Sequence, residues 1–190
     1  MHRLITLLVA SVALAATGCG ANAIEHTKPN AAMSPLKDSA LLAHQGDQYA
    51  EAGDFTRAQQ YYAAAIAAGG KSSLILPHLL RACIAAGDVR LASEYAETEL
   101  SRNPDNARLR FLTGALHAQV GNRETARKHL MQAASDLKDD PKVQFSVATF
   151  FRDDLKDVVG ADPYFREYLR LAPRGEHAPE ARGSLMERVQ

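Results

Sequence analysis

The chain has no tryptophan, two cysteines, 6% aromatic residues and no net charge, its 22 Lys and Arg balancing 22 Asp and Glu over 190 residues. Each shortage excludes something. Two cysteines cannot build a disulfide scaffold. Balanced charge leaves no basic face to displace phosphate counterions, so nucleic acid is not expected as a partner. No alternating run of Val, Ile, Thr and aromatics occurs, and with it goes the period-two signal of strands. Catalytic equipment is missing too. No serine sits in a nucleophile elbow, no cysteine and histidine share a spacing, and the acidic pairs Asp139-Asp140 and Asp153-Asp154 fall at expected helix ends. Neither an enzyme, a metal nor a cofactor is therefore expected.

What is present begins with one uncharged stretch, Leu4 to Ala16, behind His2 and Arg3. It fits the n-region and h-region of a secretory signal over residues 1–18, and is too short to be a spanning helix. The stretch ends in Ala16-Thr17-Gly18-Cys19, which resembles the bacterial lipobox, with Ala16 where that family most often has Leu. The resemblance implies that Cys19 is lipidated and becomes the new N-terminus. Gly20 lacks the Asp that marks inner-membrane retention, which implies anchoring to the outer membrane of a bacterial envelope, facing the periplasm. An ordinary cleaved signal followed by an incidental cysteine remains the alternative. Residues 19–36, with Lys28, Pro29, Asn30, Ser34 and Pro35 and no apolar period, read as a flexible tether.

Beyond the tether the sequence repeats. Gly53-Asp54 is followed by Ala58, Gly87-Asp88 by Ala92 and Gly121-Asn122 by Ala126, each 34 residues after the last. Gly suits the left-handed close of a helix, and the following Asp or Asn can cap the next one. Ala58, Ala92 and Ala126 are small where two helices would cross. Gly46 and Gly114 occupy another small position, from which Leu80 departs. Tyr49, Cys83 and His117 sit three residues further, at a large inward position. Tyr62 and Leu130 fill an aromatic or aliphatic site and Ala65 and Ala133 a small one, while Ala96 and Glu99 depart from both. Pro104 supplies a turn between units.

This pattern resembles the tetratricopeptide repeat (TPR) family, which implies two antiparallel helices per 34 residues. The fold expected is all-α: a solenoid of four helix pairs within residues 37–190, with repeats near 39–72, 73–106, 107–140 and 141–174 and a capping helix over 176–189. The fourth repeat is degenerate. Leu155-Lys156-Asp157 replaces its Gly-Asp turn, one residue is inserted, and Pro163 must lie near the start of the second helix, expected over 161–172.

Other features tempt a chemical reading. Gly70-Lys71-Ser72 ends a loose phosphate-loop pattern, but the residues before it read as helix, so a turn between repeats is expected. His44 and His78, 34 apart, could approach each other and take a metal with Asp47 or Glu51; incidental surface polarity is the plainer reading. His117 is expected as a neutral, hydrogen-bonded ring at a core position and Cys83 as a small buried hydrophobe.

In the TPR family the first helices line the concave face, which implies a binding groove containing Leu74, Arg81, Ile84, Arg108, Phe111, Phe145 and Arg152. Asp47 and Glu51 make one end acidic; Arg108, Lys142 and the two phenylalanines make the other basic and aromatic. Phe111 and Phe145 could instead seal the repeat interfaces. Carboxylate-clamp TPRs use Lys and Asn where this chain has Ala43 and Asp47, so that specificity does not carry over. In architecture the whole chain is similar to pilotin and tight-adherence (Tad) pilus assembly lipoproteins. That likeness implies a non-enzymatic scaffold binding an envelope protein or peptide segment, with service to outer-membrane protein or cell-wall machinery as the alternative. A metal-binding or small-ligand protein is the minor one.

Overall fold

Acidic and amide side chains start most of the helices. In the computed structural model, which describes residues 38–186, Asp38, Asp54, Asp88, Asn106, Asp140 and Asp157 each accept a hydrogen bond from a backbone N–H in the first turn of the helix that follows. Gly53, Gly87 and Gly121 close the preceding helices at φ of +76°, +81° and +87°, the left-handed conformation that glycine adopts without a Cβ penalty. The helices so delimited are α1 (Ser39–Glu51), α2 (Phe55–Ala67), α3 (Ser72–Ala85), α4 (Val89–Arg102), α5 (Ala107–Val120), α6 (Arg123–Asp136), α7 (Pro141–Thr149), α8 (Val158–Leu171) and α9 (Ala178–Gly183). No strand occurs among the described residues, and no helix there is long and apolar enough to cross a membrane. The architecture is the expected all-α array, in which each helix packs on its sequence neighbours. The expected signal segment 1–18, Cys19 and the tether 19–36 lie outside the described residues.

Within each pair, one small and one large side chain meet. A Cβ placed on Gly46 would stand 2.7 Å from the Tyr62 ring, and one on Gly114 would stand 2.8 Å from Leu130 Cγ. The second pair inverts the sizes at the equivalent positions: Leu80 is on the first helix and Ala96 on the second, both buried in one cluster. The fourth pair returns to small against large, with Ala148 and Phe165 both fully buried. The departures at Leu80 and Ala96 thus compensate each other, because close packing conserves the summed volume at a crossing.

Nearly all the buried apolar residues fall into two clusters. One runs from Leu42 through α2, α3 and α4 to Leu109 and Leu116 of α5, and the other from Ala126 of α6 to Ala181 of α9. Gln144 joins the third and fourth pairs: its buried Nε2 donates to the Ala134 carbonyl at 2.9 Å, meeting an acceptor near the end of α6.

The inserted residue of the fourth repeat is absorbed by a π-helical turn, Phe150–Asp154, which continues α7. Its Leu155 N–H reaches back five residues to the Phe150 carbonyl at 3.1 Å, one residue further than an α-helix allows. Lys156 then takes the place of the turn glycine at φ +57°, and Asp157 caps α8 by accepting from Gly160 N–H at 2.8 Å. That cap starts α8 three residues before the expected 161, so Pro163 lies inside the helix instead of at its start. The closing helix is also shorter than the expected 176–189. Among the described residues it ends at Gly183, and the Met186 N–H is held by Asp162 Oδ1 at 2.9 Å. Residues 187–189 of that expectation lie outside the described residues.

Lys156 is the one described non-glycine residue with positive φ, and the left-handed region costs an L-residue roughly 1–2 kcal/mol. Replacing it with glycine relieves that strain but adds unfolded-state entropy of about 0.5–1 kcal/mol. Lys156→Gly is therefore expected to raise the unfolding free energy by up to about 1 kcal/mol in urea titrations, whereas Gly87→Ala, at φ +81°, lowers it by at least as much.

Candidate binding groove

Helices α1 and α3 flank two clefts, of about 370 Å³ and 630 Å³, that share His44, Asp47, Tyr62 and His78. The Tyr62 hydroxyl donates to Asp47 Oδ1 at 2.7 Å. Burial, reinforced by that bond, pushes the Tyr62 phenol pKa well above its ordinary value, so the hydroxyl stays a donor. His78 lies with its ring centroid 5.6 Å from that of Tyr62 and its Nδ1 3.5 Å from Asp47 Oδ1. Arg81 Nη2 approaches the same Nδ1 at 3.3 Å. His44 turns along its own helix to Gln48. His44 and His78 do border one cleft, but they do not gather with Asp47 or Glu51 into a three-ligand metal group.

Three residues that do gather among those described are Glu97, His117 and His129. His117 lies largely inside with polar partners at both nitrogens, as a hydrogen-bonded ring at an inward position would. Its side chain is 13% exposed, its Nε2 lies 3.4 Å from Glu97 Oε2, and its Nδ1 lies 3.3 Å from Asn122 Nδ2. Sequence reasoning missed both Glu97 and His129. The available signal was that His117 and His129 stand on the two helices of one pair.

The expected groove residues divide into two groups. Leu74 (66% exposed), Arg81 and Ile84 (39% exposed) form a row on α3 with free surface. Arg108 is exposed at the start of α5, on a separate cleft of about 680 Å³ that also takes in Pro77 and Leu112. Phe111 is half-buried against the second core cluster, facing a smaller cleft with Leu130 and Phe150. Phe145 is covered: the His177 ring stacks on it at 4.1 Å and 10°, with Tyr168 at 5.2 Å and Phe165 edge-on at 5.9 Å. Arg152 is committed as well. It donates to Asp153, to Glu180 at 2.8 Å and to Ser184 at 2.7 Å, with its guanidinium 5.3 Å from the Phe165 centroid. Phe145 and Arg152 thus hold the C-terminal segment to α7 and its π-helical turn, and of the expected groove residues Leu74, Arg81, Ile84 and Arg108 remain exposed.

The remaining motifs have structural roles. Gly70-Lys71-Ser72 is the turn between α2 and α3, with Gly70 N–H bonded to the Ala65 carbonyl of the preceding helix. It follows no strand, as a phosphate loop requires. Asp140 caps α7, and Asp153 pairs with Arg152, whose hydrogen bonds hold its carboxyl pKa below the ordinary value. Cys83 is fully buried, and burial raises its thiol pKa to about 11.

No known family's sequence profile matches the chain, and no curated relative matches it. Solved structures do. YrrB, described as a TPR protein with an unusual peptide-binding site, superposes with a TM-score of 0.65 at 14% identity over 77% of this chain and 75% of that one. The MamA protein gives 0.66 at 16% identity, over 76% and 79%. A TPR protein from Parabacteroides merdae gives 0.67 at 15%, over 77% of this chain and 58% of its own. The fold is therefore that of a TPR solenoid, which agrees with the repeat pattern read from the turns.

Two measurements check these assignments. With Cys19 replaced by Ser, alkylation of Cys83 at pH 9 is expected to run at least about fiftyfold slower in the folded than in the unfolded chain, since a thiol with a pKa of about 11 is almost wholly protonated there. The raised pKa also makes stability fall as pH rises from about 9 through 11; Cys83→Ala removes that share and leaves the fall that the raised tyrosines, Tyr62 foremost, cause above about pH 10. Arg152→Ala leaves Glu180 and Ser184 without their partner and is expected to speed amide exchange in α9 while leaving α1 to α4 unchanged.

Proposed function

We propose that this chain is a non-enzymatic scaffold that holds a protein or peptide segment along its first helices, and that a lipid on Cys19 ties it to the outer membrane, facing the periplasm. The observation that carries the binding reading is the row of Leu74, Arg81 and Ile84 on α3, open to solvent beside two clefts, with Arg108 on α5. Leu74 and Ile84 of α3, with Leu112 of α5, leave apolar surface along this face for a partner to cover. Together with two guanidinium groups they suit a segment bearing apolar anchors and a carboxylate. That YrrB, a protein of the same fold, carries a peptide-binding site supports a peptide ligand over a small molecule.

The anchoring reading rests on the sequence alone: the apolar stretch Leu4 to Ala16 runs directly into Gly18-Cys19. A lipidated TPR array of this size suits assembly of a pilus or secretion system, where a tethered adaptor escorts a subunit to the outer membrane. Outer-membrane protein or cell-wall machinery is the alternative client.

Two experiments separate these layers. Affinity capture from envelope extracts is expected to lose its main partner by at least about tenfold in Leu74→Asp/Arg81→Glu, with unchanged circular dichroism, given that interface anchors carry most of the binding energy. Unchanged recovery contradicts the groove. Growth with a labelled fatty acid should mark the protein in membranes, and Cys19→Ser should abolish both label and membrane association; a soluble, unlabelled wild type contradicts the anchor.

A further inference from the structure

The seam between the two core clusters is polar where its neighbours are apolar. There α4 contributes Glu97, α5 His117 and α6 His129, so the second helix pair meets both helices of the third. The two imidazoles stack, centroids 5.9 Å apart and planes within 8°, and both direct Nε2 at one carboxylate oxygen: Glu97 Oε2 is 3.4 Å from His117 and 3.2 Å from His129. All three ligand atoms lie within 4.8 Å of one another. His129 is 7% exposed, and its Nδ1 is buried with no hydrogen-bond partner, so Nε2 is its one engaged nitrogen.

We propose that Glu97, His117 and His129 bind a divalent transition-metal ion, Zn²⁺ foremost, clamping the second helix pair to the third. The distances carry the argument. Two ligands on a tetrahedral ion with bonds of about 2.0–2.2 Å stand roughly 3.3–3.5 Å apart, and the two nitrogen-to-oxygen separations already have about that length. The third separation, between the two Nε2 atoms, is at most 4.8 Å, so the near-parallel rings turn toward each other to share an ion.

The donor set fits as well. Two imidazole nitrogens and a carboxylate oxygen are borderline ligands that suit Zn²⁺ and its first-row neighbours, and not Ca²⁺ or Mg²⁺, which take oxygen. One carboxylate and two neutral rings carry a charge of −1, which offsets half of that of the ion. Three protein ligands leave a fourth position for water, and Glu97, whose side chain is 49% exposed, opens the site to solvent on that side.

Binding requires a proton shift, for which His117 has a partner and the buried His129 Nδ1 has none. In the apo form each Nε2 faces Glu97 Oε2, a carboxylate oxygen that only accepts, and is taken as the protonated nitrogen of its ring. In the metal form each Nε2 gives its lone pair to the ion and the proton moves to Nδ1, so no net proton is released. At His117 the Asn122 amide already lies against Nδ1 at 3.3 Å, and turning it presents the oxygen as acceptor to the new Nδ1–H.

The test titrates the purified full chain, stripped with EDTA, with Zn²⁺ against a competing chelator, and repeats it on Glu97→Gln, His117→Gln and the double variant His44→Gln/His78→Gln. The expected result is an equivalent of Zn²⁺ that persists in the His44/His78 variant and weakens at least about tenfold in the other two. Zn²⁺ at about a hundred times its Kd should raise the wild-type Tm by several degrees and leave Glu97→Gln unmoved. Co²⁺ should develop the intense visible absorption of a tetrahedral site in the wild type and in the His44→Gln/His78→Gln variant, and not in Glu97→Gln or His117→Gln. Glu97 is half exposed, so its variant should keep the fold, as circular dichroism would confirm. No stoichiometric Zn²⁺ binding, or binding that survives Glu97→Gln and His117→Gln undiminished, overturns the site.

Discussion

The structure depends on how closely the two helices of each pair can approach. A glycine or alanine on one helix lets a ring or branched side chain of the other fill the crossing, as Tyr62 does over Gly46, Leu130 over Gly114 and Phe165 opposite Ala148. Where the first helix carries Leu80, the second carries Ala96. The constraint acts on the sum and not on either residue, because a packed interior tolerates exchanged volumes better than added ones. Each pair hides only part of its apolar surface, and the next pair hides the rest.

Function follows from what this arrangement leaves over. Second-helix side chains such as Tyr62 are spent on packing, and α1 and α3 face each other across the two clefts. At the C-terminal end the same kind of surface is consumed from within, since His177 covers Phe145 and the α9 segment engages Arg152. The array thus closes itself at one end and leaves Leu74, Arg81 and Ile84 open nearer the other. At its middle the apolar core gives way to the stacked His117 and His129 over Glu97, which is where an ion would add stiffness between pairs.

The turns were the most legible part of the sequence. Glycine followed by a capping Asp or Asn at a fixed interval reflects backbone conformation and local hydrogen bonds, which depend on residues a few positions apart, and so the helix pairs could be placed before any contact was known. The inserted residue of the fourth repeat was legible as a count but not as a place. Whether it would lengthen a loop or widen a helical turn depended on Phe150 and Phe151 staying buried while Lys156 accepted positive φ. The fates of Arg152 and Phe145 were not legible, since their partners Glu180 and His177 lie about 30 residues away on a segment whose docking follows no repeat rule. Glu97 and His129 escaped notice for a related reason: their meeting depends on how the second pair stacks against the third, and neither has an equivalent in another repeat to reveal it.

The claim on which all of this rests is that summed volume at each crossing holds the pairs together. A double-mutant cycle on Gly114→Leu and Leu130→Ala, read by urea unfolding, addresses it directly. Each single change should destabilise, one by overpacking and the other by a cavity, and the double variant, which reproduces the Leu80 and Ala96 arrangement of the second pair, should recover part of the loss, with a coupling energy of about 1–3 kcal/mol. Additive losses in the double variant would contradict the account.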